Sequence, residues 1–275
     1  MPKTILITGC SSGIGATVAR GVRDHGWRVI ASARKPEDVA ALKADGFEAV
    51  QLDYADPDSI ASGLAETLAL TGGTLDALFN NGAFGMPGAV EDLPRGGLRE
   101  IFETNLFGVH DLTCRVIPIM RAQGHGRIIQ HSSVLGLVPL KWRGAYVSTK
   151  YALEGLTDVL RIEMRDTPIH FTLLNTGPVT SKIRVNSIPH FERWIDWENS
   201  ARAEQYREAL IPRLYEDGGP DPFELPPEAV TKKVLHFLES RRPKPRYYIT
   251  TPTYIMGALK RVLPTRALDW ITSRV

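Results

Sequence analysis

The sequence predicts an α/β fold, a single domain built on a doubly wound, mostly parallel sheet of seven strands. Three observations predict it. Short apolar runs rich in Ile, Val, Leu and Phe recur along the chain, as strands buried on both faces require. Longer stretches with helical periodicity separate them. The alternation is regular, and strand–helix–strand units of this kind close onto one parallel sheet through right-handed crossovers.

Taken in order, the strands are expected at 4–8, 28–32, 49–52, 77–79, 127–131, 170–174 and 247–250, with helical stretches at 13–25, 58–70, 98–121 and 146–165. The domain covers 1–250. Between the sixth and seventh strands lies a long insertion, 182–225, holding Phe191, Trp194, Trp197, Tyr206 and Tyr215 among many charges. A segment this long inside a compact domain reads as a substrate lid; the plainer alternative is a helical hairpin whose aromatics pack onto the sheet. The tail, 251–275, is an amphipathic extension. Tyr254, Ile255, Leu259, Val262, Leu263, Leu268 and Ile271 recur at near-helical spacing, beside Lys260, Arg261, Arg266 and Arg274. Such a pattern docks on the domain or on a second subunit, and its bolder reading is peripheral contact with a membrane.

Composition narrows the classes. The 275 residues are 43% hydrophobic and 23% charged, an ordinary globular balance. With 33 basic residues against 31 acidic ones, the chain lacks the basic stripe of a nucleic-acid binder. The two cysteines, Cys10 and Cys114, have neither disulfide-framework nor metal-ligand spacing, so no metal site is expected and a reducing cytoplasm fits. No signal peptide precedes the first strand, and no apolar run is long enough to span a bilayer.

The first strand runs into Thr8-Gly9-Cys10-Ser11-Ser12-Gly13-Ile14-Gly15. In a strand-to-helix turn, Gly9 allows the tight bend, Gly13 close approach of a pyrophosphate, and Gly15 close helix–strand packing. The helix N-terminus, at Ser12, Gly13 and Ile14, then offers free N–H groups and partial positive charge to phosphate. The second strand ends at Arg34-Lys35 instead of the acid that would hold a ribose 2′-hydroxyl. A guanidinium grips a 2′-phosphate, and Ser11 adds a hydroxyl, so NADP is the expected cofactor. Asp53, after the third strand, is placed to accept from the adenine amino group, or simply to cap the next turn. Cys10 sits in the cradle, where a helix N-terminus depresses a thiol pKa; a small packed residue is the plainer reading.

Tyr146 and Lys150 are four apart at the start of a helical stretch and share one face. Together with TGxxxGIG at 8–15, Asn80-Asn81, Asn105 and Ser133 they form an ordered set that resembles the short-chain dehydrogenase/reductase superfamily over residues 4 to about 181. TGCSSGIG with Ala33-Arg34 is similar to the 17β-hydroxysteroid and retinol dehydrogenase branch, and the run at 259–264 is similar to the C-terminus of a bacterial NADP-dependent aldehyde reductase. The resemblance implies a Rossmann fold and hydride exchange between nicotinamide and a carbonyl or alcohol. By the same resemblance, Ser133 holds the substrate oxygen, Tyr146 donates or accepts the proton, Lys150 favours the phenolate and holds the nicotinamide ribose, and Asn105 holds a relay water. A free phenol titrates near 10 and needs such help at neutral pH.

Two departures from the family pattern stand out. Asn80-Asn81-Gly82-Ala83 swaps the usual last two residues, with both asparagines expected to stay available to the cofactor ribose. Thr176-Gly177-Pro178-Val179-Thr180-Ser181 has threonine for the usual proline, with Gly177 and Val179 meeting the carboxamide and Ser181 supplying a hydroxyl. His131 reads as a strand-end residue without a catalytic role. Leu135, Val138, Leu140 and Trp142 after Ser133 point to an apolar carbonyl or alcohol substrate, of fatty-aldehyde, retinoid-like or steroid-like type. The competing reading is a catalytically silent NADP-sensing regulator, which would be expected to lose the tyrosine or the lysine. The helices at 98–121 and 146–165 resemble the faces that pair family members into homodimers or homotetramers.

Overall fold

A computed structural model describes residues 2–216 and 219–274. Its sheet contains β1 (Thr4–Ile7), β2 (Arg28–Ala33), β3 (Glu48–Gln51), β4 (Ala77–Asn80), β5 (Gly126–Ser133), β6 (Ile169–Thr176) and β7 (Arg246–Ile249) in the order β3-β2-β1-β4-β5-β6-β7. Every ladder is parallel, so the sheet is wholly, not mostly, parallel. The helices are α1 (Gly13–Asp24), α2 (Pro36–Ala44), α3 (Pro57–Thr71), α4 (Arg95–Phe102), α5 (Gly108–Gln123), α6 (Gly144–Glu163), α7 (Ile183–Trp194), α8 (Ala203–Gln205), α9 (Ile211–Tyr215), α10 (Glu228–Glu239), α11 (Thr251–Val262) and α12 (Thr265–Thr272).

Alternate residues of each strand feed opposite faces. Ile5, Ile7, Val29, Ala31 and Phe79 join α1, α2 and α10 in one core. Leu6, Ile30 and Leu78 join α3, α5 and α6 in the other. Both cores are apolar because both faces are covered, which is why the strands read as continuous apolar runs and not as alternating ones. Strand order reverses between β1 and β4, and the crevice at their C-terminal ends is where doubly wound sheets bind ligands.

The stretch expected as one helix at 98–121 is interrupted. A π turn, Glu103–Phe107, separates α4 from α5. Its cause is Asn105, whose buried amide accepts from Phe84 N (3.0 Å) and donates to Phe84 O (2.9 Å), drawing the helix toward the loop after β4.

Among its described residues the insertion carries α7, α8 and α9, and Phe191, Trp194, Trp197 and Tyr206 do not pack onto the sheet. Phe191 and Tyr206 are buried with Ile195, Leu210, Leu214 and Ala89 in a separate small core, against which Trp142, Trp194 and Trp197 pack. The Tyr206 hydroxyl accepts from Ala89 N (2.7 Å) and donates to Asp92 (2.8 Å). Glu100 on α4 ties down α7 through His190 (2.6 Å) and Trp194 Nε1 (2.7 Å). The tail docks on the domain. Gly257 lies against Tyr248, and Lys260, Leu263 and Leu268 face Pro139, Val147 and Tyr151 across a small cavity.

Candidate active site

The site is assembled where β1, β4, β5 and β6 end. Gly9 and Gly13 adopt φ values of +69° and +57°, a left-handed region open to glycine at little cost. A side chain at Gly15 would stand 2.2 Å from the Gly9 carbonyl oxygen, so this glycine fixes the seating of α1 against the turn. Ser12 caps α1 without a side-chain hydrogen bond, and the first turn carries no acid. The end of α1 therefore faces the crevice with its N–H groups free, a cradle suited to phosphate. Ser181 leans over Gly13, its Cβ 3.5 Å from where a side chain at Gly13 would begin. Ile14 packs on the core at the cradle's base.

Arg34 and Lys35 are exposed at the edge of β2. Arg34 has no ion pair among the described residues, while Lys35 is 3.8 Å from Glu37. Asp53 caps the following turn, its Oδ1 accepting from Ala55 N at 3.0 Å. Cys10 is a packed residue. It is buried, its thiol points at the Ile7 carbonyl (3.1 Å), and burial pushes it up to about 12, the opposite of the depression a helix N-terminus gives.

The reactive groups converge beside the cradle. Ser133 ends β5, and its hydroxyl accepts from Leu135 N (3.1 Å) and reaches the Thr176 carbonyl (3.3 Å). Tyr146, on the first turn of α6, packs with Phe84, Met86, Ile101 and Ala145. Burial pushes its phenol up to about 12, and a hydrogen bond with Ser133 draws it partly back. One turn on, Lys150 is buried, its ammonium donating to the His131 carbonyl at 2.7 Å and lying 5.4 Å from the centre of the Tyr146 ring. Burial pushes this ammonium down to about 8, against the opposing charge of Glu154.

Glu154 is a residue the sequence reasoning missed. It lies a further turn along α6, buried, accepting from Asn175 Nδ2 (2.6 Å) and from Arg246 Nη2 (3.0 Å). The signal was available in the chain, since 146, 150, 154 and 158 fall on one helical face.

Other expected residues take different parts. The amides of Asn80 and Asn81 are not free for a ribose. Asn80 is buried, accepting from the Tyr54 hydroxyl (2.6 Å) and donating to Thr113 (2.9 Å) and Gln130 (3.0 Å). Asn81 donates to the Thr8 carbonyl (2.9 Å) and accepts from His131 (2.9 Å). Both amides are spent within the fold, and the Asn81 N–H is held by Thr8 Oγ1 (2.9 Å), so of Asn81 only the main-chain carbonyl is left to a ligand. The side chain of Asn105 is likewise engaged by Phe84 and Thr149, so what it offers a water relay is main chain. Gly177 is required sterically, because a side chain there would meet the Thr250 hydroxyl at 2.2 Å. Val179 bridges to Leu225 at the foot of the insertion.

Chemically, a phenol that keeps its proton at neutral pH, a serine hydroxyl and a buried ammonium stand close together. Groups of this kind can polarise a carbonyl and exchange a proton with it.

Comparisons with known proteins agree with this geometry. The family model for short chain dehydrogenases matches residues 3–190. The oxidoreductase YbbO of Escherichia coli strain K12, itself described as uncharacterized, is 39% identical over 98% of this chain and 94% of its own length. Retinol dehydrogenase 8 of Bos taurus is 28% identical over 99% of this chain and 89% of its own length. The crystal structure of a short-chain dehydrogenase from Streptomyces avermitilis superposes with a TM-score of 0.79 at 27% identity, covering 98% of this chain and 95% of that one. A Burkholderia phymatum short-chain dehydrogenase/reductase solved with NAD has the same fold, with a TM-score of 0.78 at 23% identity over 98% of this chain and 94% of its own. The family match, the wholly parallel seven-stranded sheet and the Ser133–Tyr146–Lys150 cluster agree: the chain is an oxidoreductase of the short-chain dehydrogenase/reductase family.

Proposed function

We propose that this chain is an NADP-dependent oxidoreductase that interconverts an apolar aldehyde or ketone and its alcohol, with Tyr146 as general acid and base. The observation that carries the reading is the convergence of Ser133, Tyr146 and Lys150 beside the open N-terminus of α1. The cradle of Gly9, Gly13 and Gly15, with Ser11, Ser12 and Ile14, suits a pyrophosphate; Arg34 and Lys35 suit a 2′-phosphate. Asp53 has one carboxylate oxygen left for an adenine amino group. Main-chain atoms of Asn80 and Asn81 face the ribose side, while Gly177, Val179 and Ser181 serve the carboxamide end. Hydride comes from, or returns to, the nicotinamide ring when it is bound.

In reduction, Ser133 holds the substrate oxygen and Tyr146 gives it a proton. Lys150 then stabilises the phenolate left behind and orients the ribose, while the main chain at Asn105 steadies a water that restores the proton. The site favours apolar substrates of fatty-aldehyde, retinoid-like or steroid-like type, because Phe84 and Met86 pack with Tyr146, and α7 of the 182–225 insertion, with His190 stacked on Phe84, serves as part of a lid. Exposed Leu156, Val159 and Ile162 on α6 support a homodimer or homotetramer. The exposed stripe of Tyr254, Ile255 and Val262 on the docked tail supports peripheral membrane contact. We place the protein in the cytoplasm, in keeping with two free cysteines.

The test is cofactor consumption with a panel of medium-chain aldehydes, NADPH against NADH. Turnover with NADPH in marked preference to NADH is expected. Tight NADPH binding with no consumption by any carbonyl would overturn the catalytic reading.

A further inference from the structure

We propose that His131 is a positioning residue, the centre of a hydrogen-bonded strap that locks the ends of β6, β5, β4 and β1 in register beneath the nicotinamide half of the cofactor site. The inference rests on the dinucleotide reading above and extends it to a side chain that the reaction itself does not use.

The directions of the bonds follow from the partners. Asn81 Nδ2 donates to the Thr8 carbonyl (2.9 Å) and the Gly9 carbonyl (3.3 Å). Its Oδ1 is therefore an acceptor, and the bond of 2.9 Å from His131 Nδ1 makes that nitrogen the protonated one. Nε2 of the same ring is then an acceptor, and the Thr176 hydroxyl, 3.2 Å away, gives it its one proton in preference to the more distant Ser132 carbonyl at 3.5 Å. Thr176, Asn81 and the Thr8–Gly9 turn thus form a single polarised chain through one imidazole.

The strap lies in dry surroundings. His131 and Thr176 are each 8% exposed, so a broken link leaves a buried polar group unsatisfied. Burial, reinforced by the Lys150 charge, pushes the imidazole down to about 3, and the neutral ring serves as donor and acceptor at once. The chain ties the residue before Gly177 to the phosphate turn, and the main-chain carbonyl of His131 receives Lys150. Thr176 stands where the family pattern has proline, which carries no hydroxyl. The departure noted in the sequence is the group that completes the strap.

Two measurements test this on the full chain. Nitrogen-15 resonances of His131, assigned by their loss in His131→Asn, are expected to show a neutral ring protonated at Nδ1, the less populated tautomer of a free imidazole. An Nε2-protonated ring, or an imidazolium at neutral pH, would overturn the proposal whether or not any cofactor binds. The second measurement compares affinities for NADPH and for adenosine 2′,5′-bisphosphate, which fills only the adenosine end. His131→Val should weaken NADPH roughly tenfold and the bisphosphate, whose 5′-phosphate meets only the turn at one end of the strap, clearly less. Part of the loss should return in His131→Asn, which keeps a donor at the δ position, and in His131→Gln, which keeps an acceptor at the ε position. Unchanged NADPH affinity in His131→Val, or equal weakening of both ligands, would overturn the strap. Wild-type protein that binds no NADPH would instead sink the cofactor reading, and the tautomer would still decide the strap.

Discussion

Lys150→Met separates the lysine's contribution to function from its cost to the fold. Lys150 is 3% exposed, and its ammonium sits at about 8 against an ordinary value of 10.5. The unfolded chain therefore holds this proton more tightly than the folded one. Below about pH 8 both states are protonated and the fold bears the full cost of burying the charge, roughly 3 kcal/mol. As the pH rises from 8 toward 10.5 the folded state sheds its proton first, and the cost disappears. Methionine removes the charge at similar volume but orphans the His131 carbonyl, returning about 1 kcal/mol. The variant should thus be about 2 kcal/mol more stable than the wild type at pH 7, and the gap should vanish by about pH 10. Urea unfolding at the two pH values reads this directly, alongside loss of turnover at both. A gap that does not change with pH, or a variant less stable at pH 7, would refute the reasoning.

Other perturbations follow from the same geometry. Because Tyr146 keeps its proton until about pH 12 and Lys150 loses its own near 8, kcat/KM for carbonyl reduction should be flat through neutrality and fall about tenfold per pH unit above 8. Lys150→Arg, which stays charged, should remove that limb, and a limb left in place would assign it elsewhere. Arg34→Ala should weaken NADPH by about tenfold or more and NADH hardly at all, as read by fluorescence titration; equal weakening would contradict the 2′-phosphate assignment. Gly15→Ala, whose Cβ would stand 2.2 Å from the Gly9 carbonyl oxygen, should cost about 3 kcal/mol or fail to fold. Gly13→Ala meets nothing closer than 3.5 Å; its cost is the strain of φ +57°, about 1 kcal/mol, and its larger effect should be on NADPH affinity. Ile255→Glu with Val262→Glu, at two exposed tail positions, should abolish flotation with anionic vesicles while leaving turnover intact; wild-type protein that does not float would end the membrane reading.

Much of this was legible in the chain. All seven strands fall where the apolar runs place them, since burial on both faces leaves little room for polar residues. The glycine turn before α1 and the pairing of Tyr146 with Lys150 on one face of α6 were legible for a local reason: each is fixed by spacing within a few residues. What the sequence hid depends on partners far along the chain. The break at Glu103–Phe107 needs Asn105 to meet the backbone of Phe84. Asn80 and Asn81 looked like ligand contacts, but their amides are consumed by Tyr54, Thr113, Gln130, Thr8 and His131. The aromatics of the insertion build a core of their own around Tyr206 because Ala89 and Asp92 approach it from another loop. Periodicity reports which face of an element is apolar and is silent on which partner covers it.

The central claim is that hydride moves directly between nicotinamide and a carbonyl carbon held at Ser133 and Tyr146. Mass spectrometry of the product formed from a medium-chain aldehyde and NADPH carrying deuterium at both C4 positions of the nicotinamide tests it most directly. Deuterium on the new carbinol carbon with the wild type, and no product with a Tyr146→Phe variant that still binds NADPH, is the predicted result. Alcohol formed without the label, or formed as quickly by Tyr146→Phe, would contradict it.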